Sequence, residues 1–166
     1  MTSIDRSKPP VYRGMKKYVS GEDGYGMWLP SDWRQIDMSG GHKGVIFTPY
    51  ADNFDTCIAV EKHMMPYKVV IGDLPVLRKG LEEGIKSLPG AEIEKIEEIR
   101  TATLIGFDAH YTFLENGQRR SRWLRDIYWG EGHIVVIAQG KDAEDFAYWK
   151  PMIFNTLMTL EIGLPQ

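Results

Sequence analysis

The pair Asn116-Gly117 limits what this chain can fold into more than any other stretch. It stands between two long runs of strand-forming residues, GFDAHYTFLE before it and QRRSRWLRDIYW after it. Asn-Gly is the strongest short hairpin signal, because both residues of a two-residue turn need positive φ and both tolerate it. Such a turn fixes the register of the flanking strands. His110 then faces Trp123 and Asp108 faces Arg125 on one side of the sheet. Phe107, Ala109, Tyr111 and Phe113 share the other side with Leu124 and Tyr128. Both sides carry large apolar groups, so both are expected to be covered, at least partly.

Further strands are expected over 16–20, 26–29, 45–48, 56–62, 92–100 and 133–139, separated by Gly-, Asn- and Asp-rich turns. Residues 37–44, with the stretch SGGHKG, read as a loop. The first helix is expected over 73–88. Asp73 is placed to cap it, Pro75 falls in its first turn, and Leu74, Leu77, Leu81, Ile85 and Leu88 form one apolar face. Gly80 and Gly84 flank that face, which suggests close approach to a sheet. The last helix must include 151–160, with Ile153, Leu157 and Leu160 inward. Pro151 fits best at a helix start, which leaves AEDFAYW as a turn or a separate helical piece. Strands, one helix, more strands and a final helix make an α+β layered domain. Residues 1–14 read as a flexible leader and 15–166 as a single domain.

The chain has 166 residues, 43% of them hydrophobic, enough for one core. Its lone cysteine, Cys57, excludes an intramolecular disulfide and fits a reducing compartment. The first residues contain no apolar stretch of signal-peptide type, and the longest apolar run, IVVIA at 134–138, is too short to span a bilayer. A cytoplasmic protein without membrane contact is expected. The net charge of −3 argues against a dedicated nucleic-acid binder.

No stretch carries a catalytic or metal-binding pattern. Cys57 alternates with apolar residues and has no adjacent base, which reads as an inert core thiol. His42, His63, His110 and His133 are isolated, without the spacing of a zinc site. DNFD at 52–55 lacks the order of a calcium loop and reads as an Asx turn. SGGHKG lacks the register of a phosphate-binding loop. Asp108, His110 and Arg125 read as a cross-strand ion pair beside a histidine stacked on Trp123. No cofactor and no metal are expected. Arg119, Arg120, Arg122 and Arg125 fall on one strand and are the candidate binding residues, a docking surface for a protein partner. The competing reading is a charged edge that discourages edge-to-edge pairing. Arg119 and Arg120, nearest the turn, are expected to be the least buried. Trp28 and Trp33 bracket a Leu-Pro-Ser-Asp turn. Trp33 is expected to anchor that turn in the core rather than clamp a ligand.

The glycine-aromatic strand leading into Pro30-Ser31-Asp32-Trp33, the DNFD turn before the 56–61 strand, IGFDAHYTF with its long returning strand, GHIVVIAQG and a closing amphipathic helix occur in an order that resembles the PsbP-like family, whose fold is shared with the Ran-binding import factor Mog. The resemblance covers residues 16–162. It implies an antiparallel β-sheet flanked by helices, an α/β/α sandwich, and a non-enzymatic accessory or adaptor protein that binds a larger assembly. The alternative is a carrier of a small apolar or aromatic ligand, held between the sheet and its covering elements. An enzyme of unrecognised type is the third possibility. Gly117→Val is expected to disturb folding more than Gly44→Val, since Gly44 falls in the longer loop.

Overall fold

The computed structural model describes residues 5–40 and 43–163. Its strands are β1 (Met15–Ser20), β2 (Tyr25–Pro30), β3 (Arg34–Asp37), β4 (Gly44–Thr48), β5 (Cys57–Met64), β6 (Glu92–Arg100), β7 (Ile105–Glu115), β8 (Gln118–Trp129), β9 (Gly132–Gly140) and β10 (Glu161–Ile162). The helices are α1 (Leu74–Lys86), entered through a short 3-10 turn at Ile71–Asp73, and α2 (Ala143–Met158). Asn116 (φ 51°) and Gly117 (φ 76°) close the β7–β8 hairpin. Its register is the expected one, with Asp108 opposite Arg125 and His110 opposite Trp123.

Seven antiparallel strands form one sheet in the order β3-β4-β5-β9-β8-β7-β6, and β1-β2-β10 form a second, small sheet. On one face of the large sheet, α2 and β2 lie together over a core of Phe47, Ile58, Val60, Ile134, Val136 and Ala138, to which they add Met27, Leu29, Met152, Ile153 and Leu157. On the other face α1 sets Leu81 and Ile85, with Leu88 just past its end, against Ala109, Tyr111, Phe113 and Leu124. The fold is thus α+β, an antiparallel sheet with a helix on each face. The small sheet beside α2 was not expected as a separate layer. Neither was β3, whose sequence RQID has no apolar alternation; it is an edge strand held by pairing to β4.

β6 shows how pattern and pairing agree. Ile93 and Ile96 are three apart, a spacing that puts side chains on opposite faces of a regular strand. A bulge between Ile93 and Lys95 adds one residue, so Ile93 pairs with Tyr111 and Ile96 with Ala109, both on the α1 side.

Several local expectations need correction. The final helix does not start at Pro151. It runs unbroken from Ala143, where Asp142 accepts a hydrogen bond from the Asp145 amide (2.7 Å), and Pro151 lies inside it. Proline removes one helical hydrogen bond and crowds the preceding turn. The helix survives because Trp149, Met152, Ile153 and Leu157 are buried on both sides of it. Asp73 does not cap α1 with its side chain. It has helical dihedrals (φ −82°, ψ −15°), and its carboxylate accepts from the Val70 amide behind it (2.8 Å). A capping side chain reaches forward from an extended residue, which Asp73 is not.

Gly80 and Gly84 do not meet the sheet. A Cβ at either would have no neighbour within 4 Å, so both face solvent. Alanine at each position is expected to stabilise the protein by about 0.5–1 kcal/mol, read as a higher urea midpoint with unchanged m-value.

Gly44 is the opposite case. It is paired with Glu61, and a Cβ there would stand 2.5 Å from the Val60 carbonyl oxygen and 2.6 Å from the Met38 sulfur. At Gly117 a Cβ meets nothing, leaving only the strain of positive φ. The expected order of the two valine variants is therefore reversed. Gly117→Val should cost about 1–2 kcal/mol and Gly44→Val more, since it must force paired strands apart. Urea denaturation of both variants checks this.

The described residues of the leader are not loose throughout. Arg6 pairs with Asp145 and with Glu144 (3.3 Å), and Asn155 donates to the Tyr12 hydroxyl (2.8 Å). In the SGGHKG loop, Gly41 and His42 lie outside the described residues; beyond them, the Met38 amide closes onto the Gly44 carbonyl (3.0 Å).

Candidate binding cleft

At the end of the large sheet where β8 turns into β9, the chain between β5 and α1 crosses the strand ends. It is stitched there by two backbone hydrogen bonds, from the Met65 amide to the Glu131 carbonyl (2.7 Å) and from the Val69 amide to the Gly130 carbonyl (3.1 Å). Val69 is buried beneath it. Opposite, the β6–β7 connection is braced by Thr101, whose hydroxyl accepts from the Leu104 amide (2.9 Å) and the Thr103 amide (3.3 Å). Between these two walls lies an open cleft of about 740 Å³. Val70 and Ile71 line one wall, Thr103 the other, and Ile105 and Tyr128 the floor; Lys68 lines it too, while Trp129 borders it from β8 with its ring packed on the α2 face.

Tyr128 is locked in place. Its hydroxyl donates to Asp126 Oδ2 (3.3 Å), and its ring stacks on His133 at 4.3 Å with 2° between the planes. His133 Nε2 contacts Asp126 Oδ1, so both carboxylate oxygens are occupied. Burial, reinforced by the Asp126 charge, pushes the Tyr128 phenol up, which keeps it a protonated donor. His63 lies 5.6 Å from His133, centroid to centroid, and is itself paired with Glu61 (3.1 Å). Among the described residues no group of three or more His, Cys, Asp or Glu side chains can hold a metal ion. This arrangement fixes the Tyr128 ring against His133 and Asp126.

The four β8 arginines divide between the faces, as strand alternation requires, and each is engaged internally. Arg125 makes a two-toothed contact with Asp108 (2.8 and 3.0 Å). Arg122 donates to Gln139 (2.8 Å) and lies over the Phe113 ring at 4.2 Å. Arg120 is not among the least buried. It is 8% exposed, donates to the Lys141 carbonyl (3.0 Å) and stands between Asp55 (3.6 Å) and Glu115 (3.5 Å). Its position opposite Phe113 turns it onto the α1 side of the sheet. Arg119 keeps substantial exposure while donating to the Gly90 carbonyl (3.0 Å) and the Thr112 hydroxyl (2.9 Å).

The remaining candidates behave as structural groups. Asp108 also accepts from the Trp123 indole (3.0 Å), and His110 stacks on Trp123 at 5.0 Å. Burial pushes His110 down, favouring its neutral form. Cys57 is buried, and burial pushes its thiol up to about 12, which makes it a poor nucleophile. In DNFD the Asp55 amide donates to Asn53 Oδ1 (3.2 Å), an Asx turn. The pairing of Tyr128 with His133 was not anticipated: the strand was expected to begin at 133, whereas β9 begins at Gly132 after the two-residue turn Gly130-Glu131. Lys68, Val70 and Ile71 lie in a connection whose path no sequence pattern gives.

No helix among the described residues is long and apolar enough to cross a membrane. No family model and no curated protein matches the sequence. Solved structures do match the fold. Cyanobacterial PsbP (CyanoP) from Synechocystis sp. PCC 6803 superposes with a TM-score of 0.67 at 16% identity, over 89% of this chain and 92% of that one. LpqN, involved in cell envelope biogenesis of Mycobacterium tuberculosis, gives 0.61 at 14% identity, over 90% and 91%. The Saccharomyces cerevisiae Ran-binding protein Mog1p gives 0.55 at 7% identity, over 91% and 96%. The chain therefore has the PsbP-like fold that its order of sequence motifs pointed to.

Proposed function

We propose that this protein is a non-enzymatic adaptor that docks on a larger protein assembly. The observation that carries the reading is the gathering of exposed apolar side chains on one connection: Tyr67, Val70 and Ile71 are all 46% exposed or more, and Val70 and Ile71 line the cleft. A contiguous apolar patch on a polar rim marks an interaction site more often than chance exposure does. The absence of an activated nucleophile or metal cluster among the described residues is consistent with binding, and the fold is shared with a protein named for binding Ran. A carrier of a small apolar or aromatic ligand is the second reading. The cleft volume is of the right order for it, but a carrier encloses its cargo and this cleft is open. The cytoplasmic setting expected from the sequence belongs to the same proposal, supported by a single buried thiol that forms no disulfide.

The test is cross-linked capture from host extract, followed by reconstitution with the purified partner. A stoichiometric protein complex is expected. A small molecule retained in native mass spectrometry, with no protein complex, would turn the assignment to the carrier. The β8 arginines enter the proposal as an electrostatic contact, carried by Arg119 as the exposed member. Arg119→Glu is expected to leave the fold intact and slow association several-fold at low salt, an effect that shrinks as salt rises. Stopped-flow or biosensor association rates check it, and an unchanged rate removes the arginines from the interface.

A further inference from the structure

We propose that the cleft beside Tyr128 receives an extended segment of the protein partner in which a large apolar side chain neighbours a carboxylate. This rests on the adaptor reading and specifies what the adaptor recognises.

The charge distribution in the cleft is one-sided. Lys68 is the only charged side chain that lines it, and among the described residues no carboxylate lies within ion-pair distance of its ammonium. The nearest buried acid, Asp126, is hidden behind the Tyr128 ring with one oxygen taken by the Tyr128 hydroxyl and the other by His133. Lys62, over the Trp129 ring at 5.8 Å, belongs to the α2 face of the sheet and does not enter the cleft. Glu131 on the neighbouring turn and Asp73, whose carboxylate accepts from the Val70 amide (2.8 Å), stand beside the cleft but do not line it. A lone cation lining an apolar trough complements an anionic group attached to an apolar one.

The floor is built to receive the apolar group. Tyr128 is fixed by its hydrogen bond and its stacking on His133, so little side-chain freedom is lost when another ring or aliphatic group packs on it. The open shape selects a peptide over a small carboxylate. A compact ligand on Ile105 and Tyr128 would leave the exposed Tyr67, Val70 and Ile71 partly in water, whereas an extended segment can cover them as well.

Fluorescence polarisation tests this with two labelled octapeptides, one alternating Phe and Leu with Glu, the other identical but with Lys for Glu. The full chain is used as wild type, Lys68→Glu and Ile71→Asp. Both changed residues are exposed, so melting temperatures should match wild type. The acidic peptide should bind wild type in preference to the basic one. Lys68→Glu should weaken it roughly tenfold at low salt and favour the basic peptide, and Ile71→Asp should weaken both at least tenfold. An unchanged preference in Lys68→Glu overturns the proposal. So does saturable binding of decanoate or phenylbutyrate without peptide binding, which would make the cleft a small-carboxylate site. A captured partner that binds both variants as tightly as wild type also overturns it, while leaving the adaptor reading standing. Peptide binding as expected, with no protein complex from the host, instead supports the cleft chemistry and removes the adaptor reading.

Discussion

Replacing Asp145 by alanine is expected to destabilise the protein by about 3–5 kcal/mol, the usual range when one partner of a buried, charged network is removed. Asp145 is in the first turn of α2 and has no exposed surface. Its carboxylate accepts hydrogen bonds from the Tyr50 hydroxyl (2.7 Å), the Thr56 hydroxyl and the Arg6 guanidinium. Thr56 is also fully buried, and Tyr50 in turn accepts from the Trp149 indole (3.2 Å). Alanine would strand the Thr56 and Tyr50 donors in a dry site, where each unmet donor costs about 1–3 kcal/mol. Arg6 adds less, because its side chain keeps 27% of its exposure and can turn to water. For a domain of this size the melting temperature should fall by roughly 6–20 °C. Asp145→Asn should fall less, since one acceptor oxygen survives. Equal, small shifts in both variants would show that the network closes around water and contributes little. The helix cap is not at stake, because the Asp145 amide donates to Asp142 whatever its side chain.

That network was invisible in the sequence, and the reason is physical. Arg6, Asp145 and the turn that carries Tyr50 and Thr56 are brought together from three distant places, and nothing in AEDFAYW marks its second acid as buried. The expectation of a loose leader has the same origin, since Arg6 is held by a group that only the fold brings to it. Local rules succeed where a local geometry dictates the pairing. Asn116-Gly117 sets the register of two long strands, and with it Asp108 against Arg125 and His110 on Trp123. They fail at Pro151, where burial of Trp149, Met152 and Ile153 outweighs one lost hydrogen bond. They fail again at Arg120, where closeness to the turn does not bring exposure. The side chain folds back between Asp55 and Glu115, groups that reach it from separate stretches of the chain.

The cleft falls between these cases. Tyr128 and His133 face one another across a two-residue turn, a pairing that holds because Gly132, expected as a turn residue, belongs to β9. The opposite wall is a connection with no period, Met-Pro-Tyr-Lys-Val-Val-Ile-Gly, which lies where it does because two of its amides find carbonyls on the β8–β9 turn. Sequence places the candidate contact on the arginines because charge runs are legible in one dimension. Apolar side chains that surface together in three dimensions are not.

Trp33→Ala is expected to destabilise the domain by about 3–5 kcal/mol, as emptying a buried large aromatic site does. Trp33 is 2% exposed and follows the turn that its amide closes onto the Pro30 carbonyl (3.2 Å). It is the residue between β2 of the small sheet and β3 of the large one, and its ring meets Trp149 of α2 edge-on at 5.6 Å and 90°. Three layers therefore converge on one side chain, and a cavity there cannot collapse without moving one of them. Lys16 reaches from β1 to the Trp33 carbonyl (3.2 Å), a contact that does not depend on the side chain and holds the backbone in place. Trp28, five residues earlier, is the control. It is 40% exposed on β2, and Trp28→Ala should cost less than about 1 kcal/mol. A Trp33→Ala melting curve unchanged from wild type would mean that the ring is not an anchor and would return it to the ligand-clamp reading. Trp149 also donates to Tyr50, which donates to Asp145, so Trp33 and Asp145 share intermediaries. The double variant should then lose less than the sum of the single losses, by about 0.5 kcal/mol or more. Strict additivity would show that the tryptophan junction and the buried carboxylate stabilise α2 independently.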